Sequence, residues 1–227
     1  MPTRSRSSSL AFTQLELLAV IAIIAILAAI IIPVVGSVRA RASATKCISN
    51  LRQIGMVAGA WSNDNRGRIV PVFYPGDPNN AGSLRNWTGL LAPYMGRTST
   101  AAFLTANEME VYVCSLRPDR FGYAYNYQYL SWVQEDVNRY QWATVREIGN
   151  PAQTVLMADS KNELTTVENF ASWRAYLRAP NLAAGVKDSI SAFDHSGKAN
   201  VLWVDGHVSS ETSSSAYARN DQLWDKN

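Results

Sequence analysis

The chain has 227 residues, room for one sizeable domain and an appendage. Hydrophobic residues make up 47% and charged residues 17%, a balance that excludes a disordered chain. The net charge is only +3, with Lys and Arg scattered along the chain, so there is no electrostatic footprint for nucleic acid.

The first predicted element is apolar. From Leu17 to Val35 no side chain is charged, and a helix of that length at about 1.5 Å per residue spans close to the ~30 Å hydrocarbon layer of a bilayer. A buried helix of a soluble protein is seldom apolar on every side. Arg4 and Arg6 precede the block and favour a cytoplasmic N-terminus, although Arg39, Arg41 and Lys46 follow it. An ordinary secretory signal ends its apolar core with a small-residue cleavage site. Here the unusual feature comes first: Glu16 puts a carboxylate at the membrane entrance, costly to desolvate without a partner.

The stretch AFTQLELLAVIAIIAILAAIIIP resembles the prepilin processing signal of type IV pilins and type II secretion pseudopilins. The resemblance implies cleavage by a prepilin peptidase between Ala11 and Phe12, removal of a leader 1–11, and N-methylation of Phe12. Removing Arg4 and Arg6 leaves a side-chain charge of +1. Glu16 becomes the fifth residue of the processed chain, where it neutralises a neighbour's terminal amine and sets the axial register. The other reading of Glu16 is a carboxylate that snorkels to the interface. Pro33 matches the proline usual about two-thirds through such a stretch, and it removes one N–H from the helix ladder. Ala11 stands where Gly is usual, and Gln14 where an apolar residue is normal.

After a transmembrane or filament-core segment 12–36, an amphipathic continuation is predicted over 37–66. Val38, Ile48, Leu51, Ile54, Val57, Ala58 and Trp61 recur at three- and four-residue steps, and the pattern ends near Asn63-Asp64-Asn65 before Gly67. The whole helix is about fifty residues and roughly 75 Å long. Gly55 and Gly59 form G-x-x-x-G, read here as room for a sheet to pack closely.

A globular α+β head is predicted over 67–208. Tyr74 to Asn80 reads as turn, Asn86 to Met95 as a short helix, and Val111–Cys114 and Tyr123–Tyr127 as strands. Thr154–Asp159 is a good central strand, and 163–187 has no assignable pattern. Asp205-Gly206 between β-branched segments predicts a hairpin over 199–208 with a two-residue type I′ turn, Val204 opposite His207 and Trp203 opposite Val208. The tail 209–227 is polar. His195, nine residues, then Asp205-Gly206 resembles the H-X9-DG pattern of a prepilin-processing-associated domain, as do CISNLRQIG and TVLMADS.

Cys47 and Cys114 form no C-x-x-C pair. In an oxidising compartment they could form a disulfide; otherwise they are two buried free thiols. Asp159, Asp194, His195, Asp205 and His207 fall at strand ends or turns. Of these Asp159, His195 and Asp205 are the candidate metal ligands, for Ca2+ or another divalent cation, although no EF-hand spacing is present. The alternative is structural: Asp205 makes the turn, and His195 and Asp159 bond nearby backbone. Of the tryptophans (Trp87, Trp132, Trp142, Trp173, Trp203 and Trp224 among them), most are expected in the core, and exposed ones could stack on sugars.

The resemblance thus implies no enzyme but a single-pass protein of the bacterial inner membrane, its head outside the cytoplasm, that polymerises into a periplasmic or cell-surface filament. The resemblance implies as partners copies and relatives of itself, the prepilin peptidase, the inner-membrane assembly platform and the lipid bilayer. The rivals are a membrane-anchored module binding glycan or metal without polymerising, and a metal-dependent hydrolase built on the Asp/His cluster.

Overall fold

The computed structural model describes residues 13–74, 85–97, 110–116, 122–126, 130–134, 139–161, 176–177, 190–191 and 194–212. The leader, the Ala11–Phe12 junction, the turn at 75–80, Trp173, Trp224 and most of the unassigned 163–187 lie outside those residues. The chain divides into two compact units, 1–42 and 43–227.

Helix α1, Gln14–Asp64, is a single 51-residue helix and supplies every described residue of the first unit except Thr13. It is long and apolar enough to cross a membrane. From Leu17 to Val35 thirteen large apolar side chains are exposed. Helix assignment continues through Pro33. The Ser37 hydroxyl donates to the Val34 carbonyl at 2.8 Å, a local bond just past the proline.

In the second unit the same helix becomes a packing element. Cys47, Leu51, Ile54, Ala58 and Trp61 are buried at the three- and four-residue spacing of one helix face. Val38, expected on that face, is exposed in the first unit, and Cys47 opens the buried stripe instead. The helix stops at a left-handed turn, Arg66 (φ 62°) and Gly67 (φ 76°), where Gly67 N–H bonds the Ser62 carbonyl at 2.8 Å.

The stripe packs on a small antiparallel sheet, making the fold α+β as expected. Four antiparallel strands form its core: β3 (Tyr123–Asn126), β6 (Val155–Lys161), β9 (Lys198–Trp203) and β10 (Val208–Thr212), in the spatial order β10-β9-β6-β3. Strand β7 (Tyr176–Leu177) adds in parallel to β3, and β8 (Ile190–Ser191) pairs with the end of β6. Two small ribbons stand apart: β1 (Phe73–Tyr74) with β2 (Arg85–Asn86), and β4 (Ser131–Gln134) with β5 (Arg139–Trp142). Tyr123, Tyr125, Met157 and Leu202 share one core cluster with the helix stripe, while Ala124, Val155, Ala158, Val201 and Trp203 form a second. A β-bulge between Val155 and Met157 inserts Leu156, so Leu156 and Met157 both join the helix-side cluster.

Gly55 gives β9 room as expected: an added Cβ would sit 2.8 Å from Leu202 Cδ1, and the leucine side chain would have to shift to admit it. Gly59 meets nothing within 4 Å; it lines an open cleft of about 180 Å³ with Ser62, Val70 and Gly206.

Four local expectations are corrected. Asn86 to Met95 is not one helix: Asn86 ends β2, α2 spans Trp87–Leu91, and a 3₁₀ turn follows over Ala92–Met95. Val111–Cys114 is not a strand: Val111 and Tyr112 belong to a 3₁₀ turn, Glu110–Tyr112, which sends Tyr112 into the core edge-on to Trp87 at 5.0 Å. The polar tail begins later than Ser209, because 209–212 pair with β9. The β9–β10 hairpin has a three-residue loop: Val208 faces Leu202, and Trp203 N–H bonds the His207 carbonyl. Only Gly206 is left-handed there (φ 92°). The neighbouring loop fixes the turn, since Val204 N–H bonds the Thr154 carbonyl (2.9 Å) and Asp205 N–H that of Pro151 (3.2 Å). The type I′ geometry occurs instead just before β9, at Ser196 (φ 56°) and Gly197 (φ 79°), closed by reciprocal His195–Lys198 backbone bonds of 3.1 and 3.2 Å.

Candidate functional site

At the start of α1, Thr13 and Glu16 cap the helix reciprocally. Glu16 N–H donates to Thr13 Oγ1 (3.2 Å), while Thr13 N–H and hydroxyl donate to Glu16 Oε2 (2.9 and 2.8 Å). Thr13-Gln14-Leu15-Glu16 is the T-x-x-E form of a capping box, a signal that sequence reading attentive to Glu16 as a charge passes over. Both local bonds fall on Oε2, which leaves Oε1 for a second partner.

The second unit gathers its chemistry beneath the helix. The turn at 110–115 clasps α1 between Ser43 and Asn50. Ser115 Oγ donates to the Ser43 carbonyl (3.1 Å), Asn50 Nδ2 to the Val113 carbonyl (3.3 Å), and Lys46 pairs with Glu110 at 2.8 Å. Inside the clasp Cys47 Sγ and Cys114 Sγ lie 2.6 Å apart, both buried. Gly122 makes the approach of Cys114 possible, because a Cβ on it would run into the Cys114 backbone and Cβ. The Tyr123 hydroxyl donates to the Cys47 carbonyl at 3.1 Å.

Asp159 and His195 complete the cluster. His195 Nε2 stands 3.2 Å from Asp159 Oδ2 and 3.5 Å from Cys114 Sγ, and Asp159 Oδ2 also accepts the Asn200 N–H at 2.6 Å. Asp159 Oδ1 and His195 Nδ1 are buried without a hydrogen-bond partner among the described residues. Burial acts against an imidazolium at His195, but the Asp159 carboxylate and the Cys47 thiolate, by hydrogen bonding and charge, together outweigh it and raise the ring to about 10. Burial pushes the Asp159 carboxyl up, opposed by its bonds to His195 and Asn200. Two donors converging on Oδ2 suit a carboxylate, so at neutral pH the proton sits on the imidazole. With the thiols reduced, the hydrogen bond from Cys114 lowers Cys47 to about 3, and the same bond together with burial raises Cys114.

This is not a Cys/His/Asp catalytic triad, which needs the thiol and the carboxylate on opposite ring nitrogens; here one nitrogen faces both. Among the described residues, Cys47, Cys114 and His195 form the only trio of metal-capable side chains with ligand atoms within 4.8 Å of one another. The expected set of Asp159, His195 and Asp205 does not assemble. His195 and Asp205 flank the six residues of β9, whose ends lie roughly 17 Å apart, so the nine-residue spacing measures a strand. Asp205 Oδ1 accepts from His207 N–H (3.0 Å) and contacts His207 Nδ1 (2.7 Å), the turn-making role. Asp194 is exposed beside the Ser196-Gly197 turn.

The aromatics mostly serve the core, as expected: Trp61, Trp87 and Trp203 are buried, and Trp142 lies 5.0 Å beneath the Arg68 guanidinium. The side chain of Trp132 lies outside the described residues. The joining of Cys47, Cys114, Asp159 and His195 was not foreseen, because it links positions far apart in sequence through tertiary packing alone. Comparison of the chain with protein-family models, with curated proteins and with solved structures finds no match.

Proposed function

We propose that the protein is a type IV pilin-like subunit of a filament, held in the bacterial inner membrane by the first half of α1 until neighbouring helices replace the lipid. The observation that carries this reading is the row of thirteen exposed large apolar side chains from Leu17 to Val35. At about 1.5–3 kcal/mol for each large apolar side chain buried, leaving them in water costs on the order of 20 kcal/mol or more. Such a surface requires lipid or protein around it.

The remaining parts take roles consistent with the sequence motif. Cleavage between Ala11 and Phe12 and methylation of Phe12 leave Thr13 and Glu16 in place, so the cap survives processing. Glu16 then offers Oε1 to the ammonium of an adjacent subunit while Oε2 holds its own helix end. The α+β head lies outside the cytoplasm and decorates the filament. The partners are copies or relatives of the chain, the prepilin peptidase and the inner-membrane assembly platform, and no catalysis by this chain is required.

The test is intact mass and N-terminal sequencing of protein taken from its native membrane. The expected chain begins at methylated Phe12. A chain retaining residues 1–11 and never associating laterally would refute the reading.

A further inference from the structure

We propose that Cys47 and Cys114 are joined by a disulfide that fastens the second half of α1 to the 110–115 turn, with His195 as the proton acceptor at the closing thiol.

The first support is geometric. At 2.6 Å the sulfurs are a few tenths of an ångström beyond a covalent S–S bond of about 2.05 Å. Two thiolates on a tetrahedral zinc, each about 2.3 Å from the metal, stand about 3.7 Å apart. The sulfurs are therefore placed for a bond with each other, not for a shared ion. The second support is the histidine. Nε2 lies 3.2 Å from Asp159 Oδ2 and 3.5 Å from Cys114 Sγ, so one nitrogen held by a carboxylate can pass a proton to and from the closing thiol. The third is the seat itself. Gly122 clears the space for Cys114, and Asn50, Ser115 and Tyr123 hold the two backbones in place by hydrogen bonds.

The chemistry needs an oxidant of the disulfide class, met in an extracytoplasmic compartment, and to that extent rests on the exported reading. When the 110–115 turn lifts from α1 and admits the oxidant, the Cys47 thiolate attacks its S–S bond, forming a mixed disulfide and releasing one thiolate, which takes the proton of the imidazolium. Neutral His195 Nε2, 3.5 Å from Cys114 Sγ, then accepts the Cys114 proton. The Cys114 thiolate attacks the Cys47 sulfur and expels the second thiolate, which is protonated in turn. Two protein thiols lose two electrons and two protons, and one disulfide becomes two thiols. Burial of both sulfurs then shields the bond from reductants in solution.

The experiment uses the full chain, purified in detergent, reduced, and equilibrated with oxidised and reduced glutathione. The protein is denatured and alkylated, then read by intact mass and peptide mapping. The expected result is a monomer with no alkylated thiol, two adducts after reduction, and one peptide linking Cys47 to Cys114. Reduction should lower Tm by on the order of 10 °C, since the bond closes a loop of well over fifty residues. Cys47→Ala, Cys114→Ala and the double variant should all lose the same amount, because they remove one bond. Two free thiols, glutathione adducts that never resolve, a bound equivalent of added zinc, or additive losses in the double variant would each overturn the proposal. If the variants do not fold, the alkylation masses of the unaltered chain still decide. The same thiol count on protein from the native membrane tests the compartment. Free thiols there, with the bond forming readily in glutathione, would defeat the exported reading and leave the bond standing.

Discussion

Helix α1 is one element with two ways of being stable. In residues 17–35 the large apolar side chains are exposed all round the helix, whereas from Cys47 to Trp61 they gather on one face that disappears into the head. Both halves are α-helix, with Pro33 removing one N–H from the first, so what differs most is where the apolar surface goes. The first half must find its partner outside the chain, and the second carries its partner with it. Burial pattern, not helicity, separates an assembly element from a folding element.

The sharpest way to break that division is Glu16→Gln. Gln at this position still completes a capping box, so helix α1 should keep its start while losing the charge. Processing should continue and sheared filaments should disappear; normal filaments from this variant would reduce Glu16 to a cap. Next come paired substitutions along the helix. Ile24→Lys places a charge mid-span at a cost of about 3 kcal/mol for insertion, and should weaken membrane retention while leaving the head's Tm unchanged. Ile54→Ala should do the reverse, costing the head about 2–5 kcal/mol, roughly 5–15 °C in Tm, without loss of retention. Coupled losses in both assays would show that the halves are not independent.

Gly122→Ala sharpens the account of the second half. Its Cβ would enter the Cys114 backbone, and overpacking of this kind costs about 1–3 kcal/mol. The variant should melt several degrees lower and oxidise more slowly in glutathione. A smaller effect separates the redox states by pH. With His195 raised from 6.5 to about 10, the folded state keeps a proton that the unfolded state loses above pH 6.5, so this contribution falls as pH rises. With Cys47 lowered from 9.0 to about 3, the folded state lacks a proton that the unfolded state keeps up to pH 9, so that contribution grows. Between pH 6.5 and 9 the two oppose each other in the reduced protein, whose Tm should change little. Oxidation removes the thiol titration together with the share of the His195 shift that Cys47 supplies; the Asp159 bond remains, and Tm should then decline as pH rises above 6.5. Smallest of all, Lys46→Ala breaks an exposed ion pair and should move Tm by less than about 2 °C.

The architecture was legible where period and composition agree. Leu51, Ile54, Ala58 and Trp61 announce the helix face, Asn65 and Gly67 its end, and Val155–Asp159 a central strand. The turns were legible only in part. Ser196-Gly197 and Asp205-Gly206 both suit a hairpin, and what decides between them is a pair of carbonyls, Thr154 and Pro151, that no local pattern reveals. The buried cluster was the least legible part. Each member stands out in the sequence, yet the motif pairs His195 with Asp205, its neighbour in the pattern, and not with Cys114, its neighbour in space.

The extra residue in β6 has an effect well beyond its own backbone. Side chains on a strand alternate like the colours of a chessboard, and Leu156 shifts that alternation by one square for all that precedes it. Deleting Leu156 would leave Val155 and Met157 on the opposite colours they already occupy, and the strand would run on unbroken with every other side chain on its present face. The Asp159 carboxylate would still face His195, and the helix-side core would be poorer by one leucine.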